Sequence, residues 1–184
     1  SVMADYFSSL SATTEPLVSV CVTAYNHAPY IAQCLDSILA QECDFGVEIV
    51  LGEDCSSDST LEICRSYEAR YPDSIRVITS PENVGMRANY RRVVESSRGK
   101  YIAFCDGDDY WCDEKKLQKQ KDFLDMHPQY GVCTTSGYRY LVRRNEMAEG
   151  LAPWNPVVDG NVKPFYFSSD YRGGVYAMPL TMLF

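Results

Sequence analysis

Residues 101–111 read YIAFCDGDDYW. Tyr101–Phe104 is an apolar run of strand character, and it leads straight into three carboxylates within four positions, Asp106, Asp108 and Asp109. Charges of one sign this close repel, so the turn costs free energy unless something positive joins it. Either the chain makes a solvated acidic loop here, or a buried strand ends at a cation site. Where this strand end lies in the fold decides between them.

Runs of the same kind recur on both sides: LVSVCVTAY (17–25), VEIVLGED (47–54), IRVITS (75–80) and GVCTTSGY (131–138). They begin roughly 25–30 residues apart, the length of a βαβ unit. Helical patterns separate them. Within 29–41, Ile31, Cys34, Leu35, Ile38 and Leu39 form one apolar stripe of helical spacing. Leu61, Cys64, Tyr67 and Tyr71 repeat it, with Ser57 or Asp58 as N-cap. Met86, Tyr90, Val93, Val94 and Ser97 mark a third helix, ended by Gly99. Asp113 caps a fourth, EKKLQKQKDFLDM, which stops before Pro128. This alternation predicts an α/β fold with a mainly parallel sheet and helices on both faces. The near-continuous apolar strands agree, because a parallel sheet is buried on both sides.

The chain of 184 residues is 46% hydrophobic, enough for one sizeable core and too short for two full domains. Its net charge of −8 argues against nucleic acid or an anionic membrane surface as a direct partner. No apolar stretch reaches the roughly 20 residues that span a bilayer. Eight cysteines could suggest disulfides, but several sit inside apolar periodic runs and no CxxC pair occurs. Reduced thiols and a cytoplasmic location are therefore expected. Residues 143–174 mix charges, prolines and aromatics, the composition of a long loop over a site. The closing YAMPLTMLF reads as another strand, cut off while still apolar, so more protein is expected after Phe184.

In an open parallel sheet, ligands bind beyond the carboxyl ends of the strands. Those ends are Thr23-Ala24-Tyr25-Asn26, Glu53-Asp54 and Asp106-Gly107-Asp108-Asp109, so polar groups collect at one edge. The first turn, TAYNHAPY, lacks the glycines that a dinucleotide pyrophosphate needs, and no Walker loop is present. An EF-hand is excluded by spacing. Without a glycine cradle, a diphosphate would need a cation. The carboxylates of a D-x-D-D turn suit Mg²⁺ or Mn²⁺, which bind one or two carboxylates together with substrate phosphate. Gly107 lets that turn close tightly. The simplest reading of other residues is structural: Tyr110 and Trp111 as packing anchors, His27 and His127 as surface or cap residues, and Arg87, Arg91 and Arg92 as a solvated helix face.

VSVCVTAYN, EIVLGEDCSSDST, NVGMRANYRRVVESSRGKYIAFCDGDDYW and DEKKLQKQKDFLDMHPQYG, in this order, resemble the successive signatures of family 2 glycosyltransferases, which have the GT-A fold. The resemblance runs from about Leu17 to Gly137. It implies a nucleotide-sugar-binding core at 16–140 and the start of an acceptor-side region of the same domain at 141–184, while the polar opening stretch at 1–15 reads from its own residues as a disordered or appended lead-in. Thr23 and Tyr25, with Ala24 between them, match residues that line the nucleotide base pocket. Asp54 matches the carboxylate that accepts the uracil imide hydrogen, with Glu53 beside it. Gly85–Asn89 matches a stretch that closes over the base, with Arg87 as its polar contact. Asp106, followed by Gly107, matches the first acidic residue of the DxD motif, near the ribose and sharing the cation. Asp108 matches the principal ligand of that cation, and Asp109 supports its neighbour or bonds to backbone.

The implied activity is metal-dependent, inverting transfer from a nucleoside diphosphate sugar, a UDP-sugar, to a glycan or lipid-linked saccharide. Peripheral membrane association would be compatible with it. The general base is expected after Phe184; Asp159 and Asp170 match no family context. The alternatives are a nucleotide-sugar-binding domain without turnover and, more weakly supported, a sugar nucleotidyltransferase, which would want a glycine-rich first turn.

Overall fold

The computed structural model describes residues 15–135, 140–141, 146–147 and 182–183. The expected lead-in, apart from Glu15, and most of the 143–174 segment lie outside the described residues, as do Asp159 and Asp170. Four parallel strands form the body of the sheet: β1 (Val18–Ala24), β2 (Val47–Glu53), β3 (Ile75–Ile78) and β4 (Tyr101–Asp106). A short β5 (Cys133–Thr134) stands where a longer strand over 131–138 was expected. A separate antiparallel pair joins β6 (Tyr140–Leu141) to β7 (Glu146–Met147). The last strand, β8 (Met182–Leu183), enters the main sheet between β4 and β5 and runs antiparallel to both.

The strand order is β3-β2-β1-β4-β8-β5. The chain steps outward from β1 to β3, then returns to the other flank of β1 as β4. Strand order therefore reverses between β1 and β4, the switch point at whose carboxyl edge open α/β sheets bind ligands.

Strand periodicity sends alternate residues to opposite faces, and two cores result. On one face Val18, Val20, Val22, Ile49, Leu51, Ala103 and Cys105 pack under three helices. These are α1 (Ile31–Leu39), α2 (Thr60–Arg70) and α4 (Lys116–Met126). Of the stripe read from the sequence, Ile31, Cys34, Leu35 and Ile38 of α1 are buried and Leu39 is partly buried. Each such side chain removed from water contributes about 1.5–3 kcal/mol. On the other face lies a smaller core, Cys21 and Val50 against Val93 of α3 (Met86–Glu95), with Ile78, Ile102 and Phe104 at its margin. The expected two-sided cover is present.

Local details differ from the sequence reading. α3 ends at Glu95, before Gly99, and that glycine serves a close approach instead: a Cβ on it would lie 2.5 Å from the Ser19 amide nitrogen. Asp58 accepts the Thr60 N–H at 2.9 Å just before α2, while the N-cap position itself is Ser59. Asp113 acts likewise just ahead of α4, accepting Lys115 N–H at 2.9 Å. All eight cysteines are free thiols. Among the described residues no helix is long and apolar enough to cross a membrane. At the amino edge of the sheet, Glu48 is buried and accepts from Ser19 Oγ at 2.6 Å and from the Arg98 N–H at 2.8 Å and its Nη2 at 2.9 Å.

Candidate functional site

Strand parity dictates what meets at the carboxyl edge. In the β1–β4 register Thr23 stands beside Asp106, and Asp106 shares the α3 face of β4 with Ile102 and Phe104. Thr23 Oγ1 donates to Asp106 Oδ1 at 3.1 Å, and the Tyr90 hydroxyl, reaching down from α3, donates to that same oxygen. The Tyr90 ring meets Phe104 edge-on, with centroids 5.7 Å apart, which seats the hydroxyl. Burial and the Asp106 carboxylate both push the Tyr90 phenol well above its ordinary pKa, so it remains a donor.

After Asp106 the backbone turns at Gly107, whose N–H donates to Thr23 O at 2.8 Å. The glycine is required by space: a Cβ would stand 2.8 Å from His27 Nδ1 and 2.9 Å from Thr23 O. Asp109 N–H closes the turn onto Asp106 O at 2.9 Å. Asp108 is half exposed, and its Oδ2 lies 3.9 Å from His27 Nε2. Burial, then the charges of Asp108 and Asp106, push the Asp109 carboxyl up to about 6. Among the described residues no lysine or arginine pairs with these three carboxylates. No three acidic, histidine or cysteine side chains there converge on one point either. The turn thus offers hard oxygen donors and an uncompensated negative field but an incomplete shell. That suits a Mg²⁺- or Mn²⁺-type ion whose remaining ligands come from phosphate and water.

The second half of the edge is built around Asp54, which is 3% exposed. Its N–H donates to Ala24 O at 2.9 Å, tying it to the end of β1. Its two carboxylate oxygens accept Val84 N–H at 2.8 Å and Gly85 N–H at 3.0 Å. Gly85 sits at φ +84°, which a side chain would strain, and it opens α3. Asn83 Nδ2 donates to Asp54 O at 2.8 Å, so the whole 83–85 turn folds onto this one residue. Tyr25 stands at the rim, 49% exposed, and Arg87 projects into solvent.

Glu53 points to the opposite face from Asp106. It is 0% exposed, and its carboxylate accepts Ser56 N–H at 2.7 Å, Thr79 Oγ1 at 2.9 Å and Cys55 N–H at 3.2 Å. The geometry gives it the task of holding the 55–56 turn, with no open side toward a ligand. Ala24 contributes its carbonyl, with its methyl buried.

Arg92 corrects the reading of a solvated arginine face. It turns inward and donates from Nη2 to Glu53 O at 2.8 Å, from Nη1 to Ser80 Oγ at 2.9 Å and from Nε to Asn89 Oδ1 at 2.9 Å. Its guanidinium also lies 3.9 Å from Asp54 Oδ1. Arg87 and Arg91 are the two that face solvent. Tyr90 and Arg92 are thus residues of the edge to which the sequence reading gave no site role, and Asn89, read as the end of the stretch over the base, instead faces inward and is buried. Their signal was the i, i+3 spacing of two polar side chains beside Val93 on the helix that follows the 83–85 turn. His27, read as a surface or cap residue, lies against the acidic turn with Nδ1 buried and unpartnered among the described residues.

This α/β sheet is of the GT-A class, and solved structures agree. S. aureus TarS 1–349 in complex with UDP-GlcNAc matches at 31% identity and a TM-score of 0.55, over 62% of this chain and 32% of that one. The mannosyltransferase PcManGT from Pyrobaculum calidifontis, in complex with GDP-Man and Mn²⁺, shares the fold at 22% identity and a TM-score of 0.59, over 73% and 42%. Residues 19–168 match the glycosyl transferase family 2 model, and the chain belongs to that family. The uncharacterized protein Rv1520 of Mycobacterium tuberculosis is 43% identical over 116 residues, 63% of this chain and 34% of its own length. The chain thus spans about a third of the length of that relative.

Proposed function

We propose that the chain forms the donor-binding part of an inverting, metal-dependent glycosyltransferase that uses a UDP-sugar and a glycan or lipid-linked saccharide acceptor. The observation that carries this reading is that two acidic sites are fastened to the carboxyl end of β1 from either side: Asp54, tied to Ala24 and the 83–85 turn, and Asp106, bonded to Thr23 at the head of the acidic turn. Asp54 is an acceptor-only carboxylate in a dry setting, the chemistry that selects an imide N–H of a base. Thr23 at the end of β1 and Tyr25 just beyond it would line the base pocket, while the Gly85–Asn89 segment, with Arg87, would close over the base. Asp108, with Asp106 beside it, would hold the divalent cation.

When bound, that ion supplies positive charge against the negative charge that grows on the departing diphosphate. The residues of this chain bind and orient the nucleotide, and Gly107 keeps the acidic turn close to β1. The general base that takes the acceptor proton is assigned to no residue here.

Isothermal titration calorimetry of UDP, with Mn²⁺ and with chelator, tests the reading. Binding should require the cation and fall sharply in Asp108→Asn. UDP affinity that ignores the chelator would remove the metal role.

A further inference from the structure

The donor-binding reading leaves one contact without a purpose, the pair of hydroxyls on a single oxygen of Asp106. Thr23 Oγ1 and the Tyr90 hydroxyl both donate to Oδ1, while Oδ2 has no protein donor among the described residues. Tyr90 is not held loosely. Its ring is seated edge-on against Phe104, and its helix is fastened to β2 on either side of it. Asn89 Nδ2 donates to Gly52 O at 2.8 Å, and Arg92 Nη2 donates to Glu53 O at 2.8 Å. A donor fixed to the scaffold in this way sets the rotation of the carboxylate it grips.

We propose that Tyr90 is a positioning residue: it immobilises Asp106 through Oδ1, so that Oδ2 is presented to the cation and diphosphate of the bound nucleotide. The proposal rests on the donor-binding reading above. A carboxylate free to rotate would lose part of its interaction with the ion to entropy or to a second rotamer. Outer-sphere partners that orient a ligand typically change metal affinity by 10- to 100-fold when removed. A purely packing role for the Tyr90 ring predicts none of this, because phenylalanine packs on Phe104 equally well.

The test is UDP calorimetry across a Mn²⁺ series on wild type, Tyr90→Phe, Asp106→Asn and the double variant, with melting temperatures measured in parallel. Tyr90→Phe should weaken Mn²⁺-supported UDP binding by roughly 10-fold. It should add nothing in the Asp106→Asn background. The last comparison separates positioning from any general loss of packing, which would weaken both backgrounds equally. A Mn²⁺ series identical to wild type, or an equal loss in the Asp106→Asn background, overturns the proposal while leaving the donor-binding reading intact. Wild type that binds no UDP at any Mn²⁺ concentration sinks that reading, and this one with it.

Discussion

Asn89 donates from Nδ2 to the Gly52 carbonyl at 2.8 Å, and it fills the space where a side chain on residue 52 would stand. A Cβ on Gly52 would lie 2.4 Å from Asn89 Oδ1 and 2.5 Å from Val93 Cγ2. This contact sets how near α3 comes to β2, and through α3 the position of the 83–85 turn. Gly52→Ala should therefore destabilise by about 1–3 kcal/mol, the usual cost of overpacking a tight site. Urea unfolding at pH 7 measures it, and a variant as stable as wild type would show that α3 can step back freely.

Asp54 carries two predictions in one side chain, because the oxygens assigned to the base also hold the turn above it. Asp54→Ala should cost UDP at least about 10-fold in affinity, as hydrogen bonds to a charged group are worth about 1.5–3 kcal/mol. Hydrogen exchange should rise at Val84 and Gly85 with the strands unaffected. Faster exchange with unchanged UDP affinity would leave Asp54 as a loop anchor only.

Glu48 gives a pH signature at the opposite edge. Burial alone would raise its pKa, but the Ser19 hydroxyl, the Arg98 N–H and the Arg98 guanidinium outweigh it and hold it below the ordinary carboxylate value. A depressed carboxylate stabilises the fold above its unfolded pKa and loses that contribution as pH falls through the folded one. Glu48→Gln should thus cost about 1–3 kcal/mol at pH 7. The difference from wild type should shrink below pH ~4. Denaturant titrations at pH 7 and at low pH compare the two.

Asp109 has the reverse sign. Its carboxyl is raised to about 6, so the native state keeps a proton that the unfolded chain releases near pH ~4. Its contribution to stability is complete below the unfolded value and is lost as pH rises through about 6. Discounted for partial exposure, the penalty at neutral pH is about 1 kcal/mol. Asp109→Asn should then melt roughly 2–4 °C higher than wild type at pH 7.5 without added metal. Added Mn²⁺ should narrow the gap, since the ion offsets the repulsion among the three carboxylates, which asparagine at 109 already lacks in part. Scanning fluorimetry reads both effects, and equal melting points in metal-free buffer would remove the strain assigned to Asp109.

What could be read from the sequence follows from what repeats in it. The near-continuous apolar runs, spaced by helical stripes such as that of α1, placed β1–β4 within a few residues, and with them the polar strand ends from Thr23 to Asp109. Residues whose role depends on a partner far away in the chain were not legible. Arg92 looks like a solvated helix residue until the free carbonyl of Glu53 and Ser80 Oγ are brought beside it. Tyr90 looks like packing until Asp106 arrives from the next strand. Glu53 and Asp54, adjacent in sequence, were read together as ligand contacts. Strand alternation separates them, one closed on the 55–56 turn and the other under the 83–85 turn. Gly99 looked like a helix terminator because helix ends and close backbone approaches both call for glycine.

The antiparallel β8 has a consequence for how the chain is made. Ala103 of β4 pairs with Leu183, so the flank of β4 away from β1 stays bare until the ribosome has delivered the far end of this stretch of sequence. During that interval the nascent protein exposes an apolar sheet edge with unpaired N–H and C=O groups, an open template for another copy. The strand that ends in the acidic turn is therefore the point where slow synthesis or early release would turn into aggregation. A chaperone that shields nascent chains has most to protect while β4 waits for β8.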